Sequence, residues 1–327
     1  MSVQGMDNRV STAGQSLTPP TDVVHRGRFA PSPTGPLHFG SLIAALGSFL
    51  MARSHGGEWL VRIEDLDTPR VVSGAADDIL QTLDDFGMHW DGSVIYQSQR
   101  QAYYQNALTQ LSSAGLTYPC TCSRREVAQW TVNHANGMVY PGTCRDGIGR
   151  PGRPAAMRLR TDLHHIAFHD SIQGTYTQHL ASAAGDFVIR RADRLFTYQL
   201  AVVVDDAAQH ITHIVRGSDL LDSTPRQVYL QRLLGLPTPR YSHLPLAVDH
   251  HGHKLSKQTR ASPLDRRKPG TAIVRALQFL NQHPPQELVR ENLETIWSWA
   301  LAHWRPEQIP AERTSAGPAL DRAIVIL

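Results

Sequence analysis

No run of apolar residues in this chain approaches the roughly 20 that a helix needs to cross a bilayer, so the sequence offers no membrane span. Cysteine is scarce: there are three in 327 residues, a small, odd set that argues against a disulfide framework and for a reducing compartment. Charge of one sign is lacking too. The formal net charge is only +3, which gives no global field for steering a polyanion. The sequence pI of about 8.8 and the 17 histidines permit a polyanionic partner without demanding one. Residues 1–22 hold few apolar side chains and no secretory-type apolar core, so a disordered, dispensable tail and a cytoplasmic location are expected.

What is present is enough chain for two or three compact units with a large buried core. It is organised around residues 28–52, RFAPSPTGPLHFGSLIAALGSFLMA. A short apolar strand (Val23, Val24, Phe29, Ala30) leads into a loop stiffened by Pro31, Pro33 and Pro36, with Gly35 among them. Leu42, Ile43, Leu46, Phe49 and Leu50 then recur at helical spacing. His38, Gly40 and Ser41 fall where that helix begins, and its unpaired amides favour an anion there. An imidazole at that point either donates to a phosphate oxygen or simply caps the helix.

Trp59–Ile63 reads as a strand that delivers Glu64 to its C-terminal end, with Asp65 and Asp67 as loop-capping acids. Helices are expected after Ser73 (Ile79, Leu80, Leu83, Phe86 on one face) and over 100–114, an alternation typical of a doubly wound α/β sheet. Cys120, Cys122 and Cys144 then gather in one loop-rich stretch. Three sulfurs suit Zn²⁺, although the spacing equally fits three independent thiols. Strands are expected at 156–160, 166–169 and 187–190, with Arg158, Arg160, Arg190 and Arg191 as phosphate contacts or solvated charges. Phe196–Val204 is almost all apolar and reads as a buried parallel strand, closed by Asp205 and Asp206. Ile211–Val215 predicts the next strand, and Pro225 opens a helix closed by Gly235. Tyr198 and Arg216 would enter a cleft beside Arg28, where two guanidiniums suit a substrate with two carboxylates. Helices over 270–282 and 286–303 would bury Trp297, Trp299 and Trp304 as packing residues. The run 254–268 holds six Lys or Arg against one Asp, a pattern able to follow a phosphate backbone.

HFGS after PSPTG, paired with HKLSKQ at 253–258, resembles the two ATP-holding elements of class I aminoacyl-tRNA synthetases. RIEDLDTPR (62–70), LDDFGMHWD (83–91), YQSQR (96–100), TYQLAVVVDD (197–206) and VRGSDLLDSTPRQ (215–227) narrow the resemblance to the glutamyl branch. It implies an α/β, Rossmann-like nucleotide-binding fold in two halves, 23–117 and 192–250. An inserted, zinc-containing acceptor-type subdomain (118–191) would separate them. The lysine loop and a short C-terminal helical unit would occupy 251–327.

The same resemblance implies ATP with Mg²⁺ at Arg28, Ala30, Ser32, His38, Gly40, Ser41, Lys254 and Lys257, with His38 and Lys257 catalytic. L-Glutamate would lie at Arg28, Ser32, Glu64, Tyr198 and Arg216. Glu64 would take the ammonium, Arg216 the α-carboxylate region, and Arg28 with Tyr198 the side chain. Where full-length members often have Asn, this chain has Val202, which implies a reshaped pocket. The short glutamyl-queuosine members carry a zinc element matched by Cys120, Cys122, Tyr140 and Cys144, with His134 as the alternative fourth ligand. Only residues 258–327 follow Lys257, room for one small helical unit but not for anticodon-reading domains. The expected activity is therefore tRNA-independent activation of glutamate and its transfer to the queuosine base of tRNA(Asp), by a monomer. A short tRNA(Glu)-charging ligase and a silent RNA-binding paralogue are the alternatives, and intact His38, Glu64 and Lys257 argue against silence.

Overall fold

Proline cannot donate to a ladder, so β1 (Arg26–Phe29) ends before Pro31 and hands the chain to a loop. This computed structural model describes residues 24–130, 139–163, 165–248 and 262–315. The loop ends at α1 (Phe39–Arg53), which is buried along Leu42, Ile43, Leu46 and Leu50. At Gly56 (φ +64°) the chain turns tightly, and a Cβ on Gly57 would lie 2.1 Å from the His25 carbonyl. Only glycine lets β2 (Glu58–Ile63) start there, parallel to β1 with Arg28 opposite Leu60. After α2 (Ala75–Asp85), β3 (Ile95–Tyr96) adds in parallel beyond β2. Next comes α3 (Gln101–Ser113), which ends just before Gly115 at φ +70°.

The chain continues through β4 (Thr117–Cys120), α4 (Arg124–Trp130), β5 (Ala156–Leu159), β6 (His165–Asp170), β7 (Gly174–His179), α5 (Leu180–Ala183) and β8 (Phe187–Arg190). The expected capping box is formed: Ser123 Oγ accepts from the Glu126 amide and Glu126 Oε2 from the Ser123 amide. Then follow α6 (Tyr198–Ala208), β9 (His213–Gly217), α7 (Thr224–Leu234) and β10 (Arg240–Leu244). Gly235, at φ +66°, closes α7. Last come β11 (Leu246–Ala247), α8 (Pro269–Phe279), α9 (Leu293–His303) and β12 (Thr314–Ser315).

β4, β5 and β8 form an antiparallel sheet, whereas β6 and β7 join β10 and β9 in the order β7-β6-β10-β9. Residues 118–191, expected as one insertion, therefore divide between two sheets. Thr212 N donates to Arg26 O at 3.0 Å, setting β9 beside β1. Chain order reverses between these strands, and that is where an open α/β sheet leaves a crevice for ligands.

Two expected elements differ. Phe196–Val204 is not a strand, because Tyr198–Ala208 is helix α6. Its consecutive valines favour strand locally, but both faces of the segment are buried, and a continuous apolar run cannot distinguish a buried helix from a buried strand. The stretch 286–303 is broken: a 3-10 turn (Gln286–Arg290) precedes α9, whose start is set by Asn292 Oδ1 accepting from Thr295 N at 2.9 Å. The tryptophans pack as expected. Trp297 is buried with Nε1 donating to Phe86 O at 2.9 Å, Trp304 is buried nearby, and Trp299 stacks on His303.

Candidate functional site

The loops after β1, β2 and β9 and the N-terminus of α1 surround a cavity of about 780 Å³. Arg28, Ala30, Ser32, His38, Gly40, Ser41, Glu64, Tyr198 and Arg216 all line it. Every described residue that the sequence assigned to glutamate or ATP is therefore at one place. The Glu64 amide donates to Pro31 O at 2.9 Å, tying the loop after β2 to the loop after β1.

His38 is the N-cap of α1, and its Nδ1 accepts from the Ser41 amide at 3.4 Å. The two sequence readings of His38 are thus compatible, since an accepting Nδ1 leaves the proton of a neutral ring on Nε2 as a donor. Lys254, Lys257 and the alternative metal ligand His134 lie outside the described residues. The chain on either side of the lysine segment is at the cavity: Ala247 lines it, Leu264 N donates to Leu37 O at 3.0 Å, and Pro263 bridges to His38.

Asp205 and Asp206, expected at the end of a strand, instead lie inside α6 and are buried. Arg28 Nε donates to Asp206 Oδ1 at 3.1 Å and Arg62 Nη1 to the same oxygen at 2.8 Å. Arg62 also reaches Glu64 Oε1 at 3.2 Å. Asp205 accepts from Arg100, Tyr104 and Gln97 at 2.6, 2.7 and 2.8 Å. Burial alone would raise the Asp206 carboxyl, but Arg28 and Arg62 outweigh it and hold it below the usual carboxylate range. For Glu64 the balance goes the other way: burial pushes its carboxyl up, and Arg62 and Arg28 offset only part of the rise. A cation entering the cavity beside Glu64 would stabilise its charged form. Arg216, which also lines the cavity, donates from Nη1 to Tyr198 Oη at 3.1 Å. Val202 is buried within α6 and is absent from the cavity lining among the described residues.

Sequence reasoning missed Arg62, Asp205 and Asp206 as site builders. The available signal was a pair of acids next to an apolar run, which only the helical assignment turns inward.

At the second cluster, Cys120, Cys122 and Cys144 bring their sulfurs within 4.8 Å of one another. Tyr140 Oη lies 3.4 Å from Cys120 Sγ and 3.6 Å from Cys122 Sγ, and Cys122 Sγ is 3.5 Å from Cys144 Sγ. Zinc–sulfur and zinc–oxygen bonds of about 2.3 and 2.0 Å put neighbouring vertices of a tetrahedron roughly 3.5–3.8 Å apart, so this donor set fits a metal. Burial would raise the Cys144 thiol, but amides of Gly149 and Thr121 outweigh it and bring its pKa to about 6. Arg158 backs the cluster. Its Nε donates to Cys120 Sγ at 3.2 Å and its guanidinium carbon sits 3.7 Å from the Tyr140 ring centroid.

Arg158 is thus buried and unavailable to phosphate, a correction to the sequence reading. Arg160 donates to Arg145 O, Arg190 to Gln105, and Arg191 pairs with Asp67 and Asp193. Within the basic run, Arg266 pairs with Asp85 and Arg267 with Asp265.

Residues 24–267 match the model of the class I tRNA synthetases (E and Q), catalytic domain. A Dechloromonas aromatica protein named glutamyl-Q tRNA(Asp) synthetase is 56% identical over 297 residues, spanning 90% of this chain and 99% of its own. A Pseudomonas aeruginosa protein of the same name is 51% identical, spanning 87% and 94%. A crystallised glutamate tRNA ligase from Elizabethkingia meningosepticum, in complex with its amino acid, shares the fold with a TM-score of 0.75 at 24% identity. It is matched over 90% of this chain and 67% of that one.

Replacing Arg62 by Met would leave Asp206 short of a charge partner in the interior. The expected cost is about 3–5 kcal/mol of stability by urea unfolding. A loss below about 1 kcal/mol, the scale of an exposed pair, would contradict this account of the network.

Proposed function

The chain belongs to the glutamyl-Q tRNA(Asp) synthetase family of class I tRNA synthetases, and on that premise we propose that it activates L-glutamate with ATP, without RNA, and transfers it to queuosine at the wobble position of tRNA(Asp). The observation that carries this reading is the single cavity that holds Glu64, Arg28, Tyr198 and Arg216 beside the His38-capped N-terminus of α1. The Arg28 guanidinium, placed with Tyr198 at the substrate side chain, would pair with the γ-carboxylate of glutamate through charge-assisted hydrogen bonds that the neutral amide of glutamine cannot match.

In this reading Glu64 takes the ammonium, Arg216 the α-carboxylate region, and Arg28 with Tyr198 the side-chain carboxylate. Ala30, Ser32, Gly40 and Ser41 shape the nucleotide side, and Mg²⁺ arrives with ATP. A glutamate α-carboxylate oxygen attacks the α-phosphorus in line, the P–O bond to pyrophosphate breaks, and glutamyl-adenylate forms. The α1 amides and His38 stabilise the charge that develops, with Lys254 and Lys257 retained from their motif for the leaving pyrophosphate. A queuosine hydroxyl then attacks the acyl carbon, loses its proton, and AMP departs. No covalent enzyme intermediate is needed, and positioning supplies most of the acceleration.

The Cys120, Cys122, Tyr140 and Cys144 cluster is assigned one structural zinc. Thiolates would bind it, and the Arg158 guanidinium would offset the excess negative charge of the ligands. The zinc would hold the β4–α4 region together and take no part in the chemistry.

Metal analysis of the purified chain is expected to find about one zinc per chain. Cys144→Ser should lose it and unfold at a lower temperature, whereas metal-free protein with undiminished stability would refute the assignment. For the acceptor, labelled glutamate is expected only on tRNA pools that contain queuosine, and the label should survive removal of the 3′-terminal adenosine. Equal labelling of queuosine-free tRNA, lost with that adenosine, would make this a tRNA(Glu)-charging ligase.

A further inference from the structure

Arg216 on β9 has His243 on β10 as its register partner, and the contact continues through the side chains. Arg216 Nε donates to His243 Nε2 at 3.1 Å, Nη2 to Thr224 Oγ1 at 2.9 Å, and Nη1 to Tyr198 Oη at 3.1 Å. A guanidinium has no acceptor to offer, so His243 Nε2 must present a lone pair. The other ring nitrogen, Nδ1, lies 2.6 Å from Asp170 Oδ2, and both side chains are fully buried. A carboxylate only accepts, so the ring proton belongs on Nδ1.

The second Asp170 oxygen determines what a substitution would do. Oδ1 accepts main-chain amides from Ile172 at 3.1 Å, Gln173 at 2.9 Å and His243 at 3.1 Å. Those donors cannot change roles. Asp170 sits at the end of β6, directly opposite Tyr241 of β10, so the carboxylate is anchored by the sheet itself.

We infer that Asp170 and His243 are positioning residues: they fix the imidazole as the Nδ1–H tautomer, and that tautomer clamps Arg216 at the cavity in the orientation that receives the amino-acid carboxylate. The inference rests on the reading of Arg216 as a carboxylate ligand. Thr224 is the second jaw of the clamp, since its hydroxyl oxygen accepts from Arg216 and lies 3.2 Å from His243 Nε2. With three of its five N–H groups engaged by described residues, the guanidinium has little freedom to rotate and retains two donors for a carboxylate.

Asp170→Asn is the discriminating variant because it keeps size and shape. Its carbonyl oxygen must take the place of Oδ1 to satisfy three amides, which leaves its NH₂ facing His243 Nδ1. That nitrogen must then accept, the proton moves to Nε2, and it meets the Arg216 Nε–H head-on.

The test combines ¹⁵N NMR of the histidine ring with steady-state ATP–pyrophosphate exchange on the full chain. Wild type should show His243 protonated on Nδ1. Asp170→Asn should reverse the tautomer and raise the KM for glutamate roughly ten- to hundred-fold, with the KM for ATP changed less than about two-fold. A wild-type ring protonated on Nε2 would overturn the inference. So would a reversed tautomer with unchanged glutamate KM, or an equal rise in both KM values. Should Asp170→Asn fail to fold, the wild-type tautomer still decides, and Thr224→Val, which removes one acceptor, should raise the glutamate KM selectively or else contradict the clamp. If wild type shows no glutamate-dependent exchange, the reading of Arg216 fails, while the ring tautomer still reports on the clamp independently.

Discussion

Two adjacent carboxylates carried into the interior on α6 are the constraint from which the site follows. Asp205 and Asp206 are almost fully buried, and a buried charge that loses its partner is strongly destabilising. Asp206 is met by Arg28 from β1 and Arg62 from β2, and Asp205 by Arg100, Gln97 and Tyr104 around the start of α3. Four segments distant in sequence are thereby brought to one point. Such pairing does little for net stability compared with apolar packing, but it sets where each guanidinium sits.

The arrangement explains how a cavity can hold several arginines without collapsing through repulsion. Asp206 offsets one of the two charges that Arg28 and Arg62 carry and Glu64 faces Arg62, so Arg28 keeps a fixed position at the border of the cavity. Arg216 is steadied differently, by uncharged acceptors on His243, Thr224 and Tyr198, and so retains its full charge for a ligand. Glu64, pushed up by burial, becomes favourable as a carboxylate when a cation pairs with it. The cavity thus offers a carboxylate at Glu64 and a guanidinium at Arg216. The α1 N-terminus, with His38 as its cap, adds a place for phosphate.

Much of this was legible in the sequence because the informative residues sit at element ends. Pro31 to His38 and Glu64 are just past a strand or before a helix, where turn and cap chemistry leaves a local signature, and Arg216 is the last residue but one of β9. The short strands at 156–159 and 187–190 were readable from the local strand pattern. The strand assigned to 196–204 was not. Three consecutive valines in an apolar run look the same in either element, because a buried helix and a buried parallel strand are both apolar all round. That one misreading also hid the inward direction of Asp205 and Asp206. Arg62 and Arg158 were hidden for a related reason: the partners that bury them come from 144 and 28 residues away for Asp206 and Asp186.

Amino-acid-dependent ATP–pyrophosphate exchange by the wild-type chain, with no RNA present, tests the central claim most directly. Glu64 and Arg216 for the amino-acid end, with the Arg28 guanidinium at the side chain, predict exchange with L-glutamate and none above background with L-glutamine at equal concentration. Exchange supported equally by glutamine, or by glutamate only after RNA is added, would contradict the account of how this cavity is built and used.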